Sequence, residues 1–163
     1  MMRTVGGTGR LVAVALPVVL TDQATKVIAR AFLLPGEVRE VLPFANLRLS
    51  FNRGISFGLL PADESSGVPV LIGITALISI GVALWSAMAQ ARQEGAALAL
   101  IVAGALGNLI DRVRDGMVTD FIDLHAAGYH WPTFNVADIT ITFGAAWLVA
   151  DSLGIGARRG KAA

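Results

Sequence analysis

The sequence predicts an integral membrane protein of four transmembrane helices with a small sheet between the first two. The chain of 163 residues is 55% hydrophobic and 15% charged, whereas soluble domains carry about 25% charged residues. Four apolar stretches approach the roughly 20 residues that a helix needs to cross a bilayer core. The segment between the first and second stretches is too long for a simple connector, so we expect it to form structure of its own.

The second apolar stretch, residues 68–89, is the clearest span because its 22 residues contain no charged side chain. The third is uncharged from residue 95 to residue 110, while the first and fourth have charged residues within them. These patterns place the helices at about 10–30, 68–89, 95–113 and 136–155, in a single domain over residues 1–163.

The first helix begins like a secretory signal peptide, with Arg3 and Arg10 ahead of a ten-residue apolar run. No small-residue cleavage site follows it, so we expect a helix that is not removed. Four helices place both termini on one side of the membrane. Outside the long excursion, six basic residues lie on that side and three on the other. The positive-inside rule therefore predicts cytoplasmic termini.

The excursion, about residues 31–67, contains an alternation of apolar and polar residues at 47–51, typical of a half-buried strand. Proline-containing turns at 34–36 and 42–43 bound it. We expect a small sheet on the outer face of the membrane. A second, shorter segment between helices 3 and 4 lies on the same face.

The composition excludes several kinds of chemistry. The chain has no cysteine, two histidines and a formal net charge of +1. Thiol nucleophiles and Fe–S clusters are therefore excluded, and no basic field for nucleic acid exists. We expect no cofactor, no metal and no nucleic-acid partner. Carboxylates, amides, hydroxyls and cationic side chains must carry any reaction.

Four aspartates lie at or near the outer ends of the predicted helices: Asp22, Asp111, Asp120 and Asp138. An acid at membrane depth costs about 2.5–3.5 kcal/mol on insertion scales. A single acid near a helix end is most simply placed among lipid headgroups. Four of them, accompanied by amide side chains, favour a functional site. Asp115 and Asp123 are more typical of loop acids.

Asn108, Asp111 and Arg112 share one face at the end of the third helix. A structural network tying helix ends together is an alternative to catalysis here, and we expect Arg112 to pair with Asp111 or another acid. Lys26 lies one helical turn after Asp22, which allows an i,i+4 ion pair.

The fourth helix begins with Asn135, a preferred N-cap residue, and has Asp138 in its first turn. Plain helix capping is the alternative to a catalytic role. Asp120 precedes Asp138 by 18 residues, so the two meet only if the connection folds back over the start of the helix. Two carboxylates meeting in a low-dielectric site share a proton. Such a pair can activate a water and protonate a leaving amine.

Five stretches carry a family resemblance: TDQATK at 21–26, FNRGISFG at 51–58, GALGNLIDR at 104–112, GMVTDF at 116–121 and PTFNVAD at 132–138. With these motifs in this order, the chain resembles the bacterial lipoprotein signal peptidases (signal peptidase II), which are four-helix integral membrane aspartic peptidases. One departure is Ala103, where many members have glycine, and it concerns packing rather than chemistry.

The resemblance implies that Asp120 and Asp138 are the catalytic pair. It implies a substrate-binding or supporting role for seven further residues: Asp22, Asn52, Gly54, Asn108, Asp111, Arg112 and Asn135. Asn52 and Gly54 would bind the substrate's extended peptide. From its place at a helix N-terminus we expect Asp138 to be the base, with Asp120 holding the shared proton as the acid.

The resemblance also implies a periplasmic β-cradle between helices 1 and 2 and a short periplasmic helix. The expected substrate is a prolipoprotein whose cysteine carries diacylglyceryl, hydrolysed at the peptide bond just before that cysteine. We expect a monomer in the bacterial inner membrane, in contact with lipid, with its active site on the periplasmic side.

Two other functions use the same intramembrane polar residues. A small proton- or ion-coupled carrier would place them along a transport path, but the acids crowd one face and no inverted repeat is visible. A structural membrane subunit held by glycine-mediated helix packing leaves the arrangement of Asp120 and Asp138 unexplained.

Overall fold

The computed structural model describes residues 6–54 and 64–155. Its helices are α1 (Gly7–Phe32), α2 (Glu64–Met88), α3 (Arg92–Asp115) and α4 (Val136–Ser152), and its strands are β1 (Val38–Leu42), β2 (Ala45–Asn52), β3 (Val118–Ala126) and β4 (Tyr129–His130). Within the described residues, three helical stretches are long and apolar enough to cross a membrane: Gly7–Phe32, Gly67–Met88 and Arg92–Asp115. Helix α4 has 17 residues, about 26 Å at 1.5 Å per residue.

Helix α3 is the centre of the bundle because it packs against α1, α2 and α4. Its small residues allow this, and Ala97, Ala99 and Ala103 are completely buried. A Cβ atom added at Gly104 would overlap the carbonyl oxygen of Ala137 in α4. The backbones of α3 and α4 therefore approach closely, as is common where small residues line a membrane helix interface.

The sheet is antiparallel, with its four strands in the order β1-β2-β3-β4. The sheet expected in residues 31–67 is present as β1 and β2, but it is larger than expected, because β3 and β4 come from the connection between α3 and α4. β2 pairs with β3 from Asn52 opposite Val118 to Ala45 opposite Leu124. The described residues of that connection contain strands and no helix. Residues 55–63, which follow β2, lie outside the described part of the chain.

The sheet packs against the end of α1 through a small apolar core. Ala29, Leu33 and Phe121 are buried there, with Leu47 and Val136 among the partly buried residues around them. Elsewhere the helices expose large apolar side chains, such as Leu16, Leu77 and Phe143. This distribution suits helices whose outer faces contact lipid rather than water.

The close approach of α3 to α4 predicts that Gly104→Ala will destabilise the bundle. The added methyl meets backbone that cannot move independently, and overpacking of this kind costs about 1–3 kcal/mol. Gly73 in α2 is the matched control, because its Cβ would meet nothing within 4 Å. Thermal unfolding in detergent should show a lower midpoint for Gly104→Ala and no loss for Gly73→Ala. Equal midpoints for the two variants would contradict this account of the α3–α4 contact.

Candidate active site

A buried ammonium group joins α1 to α3. Lys26 Nζ lies 2.9 Å from Asp22 Oδ2 and 3.1 Å from Asp111 Oδ2, and it donates to Asn108 Oδ1 at 3.0 Å. The Lys26 side chain is 1% exposed and those of both aspartates are 0% exposed. The expected i,i+4 pair of Asp22 and Lys26 is therefore present, within a larger network that also includes α3.

Both aspartates receive further N–H donors. Asp22 Oδ1 accepts from the backbone N–H of Ala137 at 2.9 Å, which links α1 to the first turn of α4. Asp111 Oδ2 accepts from the backbone N–H of Thr119 at 3.1 Å. Gln23 Nε2 lies between the two carboxylates, 3.2 Å from Asp22 Oδ2 and 3.0 Å from Asp111 Oδ1. Each carboxylate is therefore hydrogen-bonded on both of its oxygens as well as paired with Lys26.

The cation that contacts Asp111 most closely is Lys26, and no ion pair joins Asp111 to Arg112 within the described residues. The other expected partner of Arg112, another acid, is supported by the charges of Asp138 and Asp120 that act on it. Successive residues of a helix point about 100° apart. Because the Asp111 side chain faces α1, the Arg112 side chain points in another direction. Arg112 lies beside Gly54, where an added Cβ would be 3.3 Å from an Arg112 Nη atom. The Nε atom of Arg112 is buried without a hydrogen-bond partner among the described residues.

Asp138 lies in the first turn of α4, in a reciprocal cap with Asn135. The backbone N–H of Asp138 donates to Asn135 Oδ1 at 3.0 Å, and the backbone N–H of Asn135 donates to Asp138 Oδ2 at 3.2 Å. The other oxygen, Asp138 Oδ1, accepts from Asn108 Nδ2 at 2.8 Å. The capping interpretation is thus correct for Asn135, and the same contacts orient the Asp138 carboxylate.

Asp120 reaches the same place from β3. The chain folds back because Phe134 pairs with Ile122, with Phe134 N–H donating to Ile122 O at 3.0 Å and Ile122 N–H donating to Phe134 O at 2.9 Å. This pairing brings Asn135 beside Asp120, and Asn135 Nδ2 donates to Asp120 Oδ1 at 2.6 Å. One residue, Asn135, therefore contacts both carboxylates.

The environment of Asp120 makes its carboxyl group easier to protonate than that of an ordinary aspartate. Burial, and next the negative charge of Asp138, raise the pKa of Asp120 to about 6. Hydrogen bonds from Asn135 and Asn52 and the charge of Lys26 act in the opposite direction but are outweighed. A carboxyl group that carries a proton near neutral pH can act as a general acid.

The structure brings the predicted residues of β2 to the same site. Asn52 is the last residue of β2 and hydrogen-bonds to Asp120. Its Oδ1 accepts from the backbone N–H of Gly54 at 2.7 Å. Gly54 has φ +76°, a left-handed conformation that favours glycine. All nine predicted site residues thus belong to one connected region where the sheet meets the ends of α1, α3 and α4.

Sequence reasoning missed two residues of this region, Gln23 and Thr119, and it missed the central position of Lys26. All three lie inside the motifs that carried the resemblance. The signal available was polar spacing within an apolar helix, because Asp22, Gln23 and Lys26 recur at i, i+1 and i+4. That spacing does not show which residues of α3 these side chains contact.

A second polar cluster lies on the sheet. Asp123, expected to be a loop acid, is instead a buried residue of β3, 2% exposed. It accepts from Asn46 Nδ2 at 3.2 Å and contacts His130 Nδ1 at 2.9 Å. Burial raises the pKa of Asp123, but the hydrogen bonds with His130 and Asn46 outweigh it and the net pKa is lowered.

Among residues 6–54 and 64–155, no group of three His, Cys, Asp or Glu side chains is placed to hold a metal ion.

Comparison with known proteins identifies the family. Residues 14–154 match the family model described as Signal peptidase (SPase) II. The chain belongs to the signal peptidase II family. Its members are peptidases of the aspartic type. The chain is therefore a multi-span membrane protein of a bacterial signal peptidase family.

Curated relatives of this family are similar over most of their length. A lipoprotein signal peptidase of Methylobacterium radiotolerans is 41% identical over 154 residues, which cover 93% of this chain and 90% of the relative. One of Francisella tularensis subsp. mediasiatica is 38% identical over 142 residues, covering 85% and 88%. A solved structure of a bacterial membrane enzyme superimposes with a TM-score of 0.82 at 34% identity, covering 94% of this chain and 98% of that one.

The buried network predicts a large loss of stability for Asp111→Asn. The change leaves the Lys26 ammonium with one carboxylate fewer, and breaking a buried ion pair costs roughly 3–5 kcal/mol. Asp115, four residues on, is the control, because it pairs with Arg30 and Arg114 where its side chain is 25% exposed. Asp115→Asn should cost about 1 kcal/mol or less. The measurement is the midpoint of thermal unfolding in detergent. Equal decreases of the midpoint for Asp111→Asn and Asp115→Asn would contradict this account of the network.

Proposed function

We propose that this chain removes signal peptides from prolipoproteins by hydrolysing the peptide bond just before a diacylglyceryl-modified cysteine. Membership of the signal peptidase II family supports the reaction. The observation that carries the assignment of residues is the double contact of Asn135, which donates to Asp120 through its side chain and to Asp138 through its backbone. Neither a carrier nor a purely structural subunit is favoured by that family.

The two aspartates would divide the acid and base roles. Asp138, held in the first turn of α4, accepts a proton from the attacking water. Asp120 supplies the proton, first to the scissile carbonyl as the tetrahedral intermediate forms and then, after exchange within the pair, to the leaving amine. Two neighbouring carboxylates cannot both ionise easily, and the raised pKa of Asp120 supports its role as the proton carrier.

Asn52 and Gly54 would position the substrate. They lie at the end of β2 next to Asp120, where Gly54 carries no side chain of its own and its backbone lies against Leu71 and Arg112. Arg112, beside Gly54, adds a cation near the two carboxylates and partly balances their charge. The scissile bond would lie between this strand end and the first turn of α4.

For membrane topology we propose four spans, with α4 as the fourth and shortest. The sheet and the reactive aspartates lie at the same end of the bundle, because β3 follows α3 directly and α4 begins at Val136, after the N-cap residue Asn135. Cytoplasmic termini would then place this end on the periplasmic face of the inner membrane. A substrate anchored by its signal helix and its lipid presents its cleavage site at that interface.

Activity on a diacylglyceryl-modified prolipoprotein tests the proposed function. The purified chain in detergent should release the signal peptide, and both Asp138→Asn and Asp120→Asn should reduce kcat by about 10²-fold or more, since each removes a group used in proton transfer. Asp151→Asn is the control, an exposed acid at the far end of α4. It should retain native activity. Substantial cleavage by either dyad variant would contradict the assignment.

The pH dependence tests the role of Asp120 as the acid. If its protonated form is required, kcat/KM of the native chain should fall as pH rises through about 6. Asn52→Ala removes a hydrogen bond that lowers the pKa of Asp120, so this falling limb should move to higher pH. Arg48→Gln, at an exposed position on the same strand, should leave the limb in place. A limb that moved to lower pH in Asn52→Ala would refute the acid role.

A further inference from the structure

Lys26 does more in this geometry than neutralise two acids. An ammonium group has three N–H donors and no acceptor, and three acceptors surround it: Asp22 Oδ2 at 2.9 Å, Asp111 Oδ2 at 3.1 Å and Asn108 Oδ1 at 3.0 Å. Its donors are therefore fully used. Any atom this close to Lys26 Nζ has to be an acceptor.

This requirement fixes the orientation of the Asn108 amide. The branch that faces Lys26 must be the carbonyl oxygen, so the NH₂ branch faces Asp138 Oδ1, at 2.8 Å. Asn135 Nδ2 also donates to Asn108 Oδ1, but at 3.2 Å, and the same nitrogen lies 2.6 Å from Asp120 Oδ1 and 3.3 Å from Thr119 O. With two hydrogens for three acceptors, Asn135 constrains Asn108 weakly.

We propose that Lys26 is a positioning residue for hydrolysis, which fixes the Asn108 side chain with its NH₂ group toward Asp138. The proposal rests on the proposed function, because it takes Asp138 as the base. With the amide reversed, the Asn108 carbonyl oxygen would face a carboxylate oxygen of Asp138. That contact is tolerable only if Asp138 binds a proton, and a protonated Asp138 cannot accept the proton of the attacking water.

The side-chain orientations of Asp22 and Asp111 depend on Lys26 less than the orientation of the Asn108 amide does. Asp22 also accepts from Ala137 N–H, and Asp111 also accepts from Thr119 N–H. Gln23 donates to both. For the Asn108 carbonyl, Lys26 is the charged donor and the nearer of the two. Loss of the Lys26 N–H should therefore act on the Asn108 orientation even where the fold survives.

The test compares Lys26→Met with Lys26→Gln, each combined with Asp22→Asn. Removing one aspartate charge offsets the lost ammonium charge, so the net buried charge stays as in the native chain. Glutamine keeps an N–H donor for Asn108, whereas methionine has similar size and no donor. Thermal midpoints establish that both double variants are folded, and cleavage of a diacylglyceryl-modified prolipoprotein is then measured against pH.

The methionine double variant should have a kcat about tenfold or more below that of the glutamine variant, with similar KM, because the change acts on the base and not on binding. The acidic limb of its kcat profile should move to higher pH, since the base would ionise less readily. Val27→Ala, an exposed neighbour on α1, should match the native chain in both measurements. Equal kcat values and coincident profiles for the two folded double variants would overturn the proposal.

If the double variants do not fold, Asn108→Asp tests the step on which the proposal depends, that an oxygen facing Asp138 disables the base. It has the same size, still accepts from Lys26 and presents an oxygen to Asp138 in place of the NH₂ group. The ratio of its kcat to the native kcat should fall as pH rises and recover at low pH, where a proton can lie between the two oxygens. A profile parallel to the native one would overturn the proposal. A native chain that does not cleave would overturn the proposed function itself, whereas native cleavage with equal variants refutes the role of Lys26 alone.

Discussion

The ion pairs of Lys26 with Asp22 and Asp111 are the interaction on which the rest of the structure depends. They connect α1 to α3, and Asp22 extends the connection to α4 through the N–H of Ala137. Burying such charges costs several kcal/mol for each ion, so well-packed apolar residues could stabilise a bundle equally well. What apolar packing cannot do is fix three helix ends in a direction-specific way. The charged network fixes these helix ends at the same end of the bundle where the two candidate reactive carboxylates lie.

The sheet brings the second carboxylate to these helix ends. Gly116 ends α3 in a left-handed conformation, which turns the chain at once into β3. Thr119 then binds Asp111 through its N–H, so Asp120 follows one residue after a fixed point. The pairing of Phe134 with Ile122 returns the chain to the start of α4. The turn at Gly116 and these two hydrogen-bonded contacts together place Asp120 and Asp138 around the single residue Asn135.

Local features of this arrangement could be predicted from the sequence. The apolar stretches, the cap of Asn135 with Asp138 and the i,i+4 pair of Asp22 with Lys26 each depend on residues within one element. Features that depend on contacts between elements could not. The partner of Asp111 is decided by how α1 packs on α3, and the burial of Asp123 by the register of β2 on β3. The family motifs indicated the candidate site residues, yet no spacing in them specifies which cation faces which acid.

A double-mutant cycle of Asp120 and Asp138 tests most directly whether the two act as one catalytic unit. Cleavage rates are compared for Asp120→Asn, Asp138→Asn and the double variant on one diacylglyceryl-modified prolipoprotein. If both carboxylates serve one proton-transfer step, the second substitution should remove little activity beyond the first, as for other residues that act together. Losses that multiply across the two substitutions would show independent roles and would contradict a shared catalytic pair.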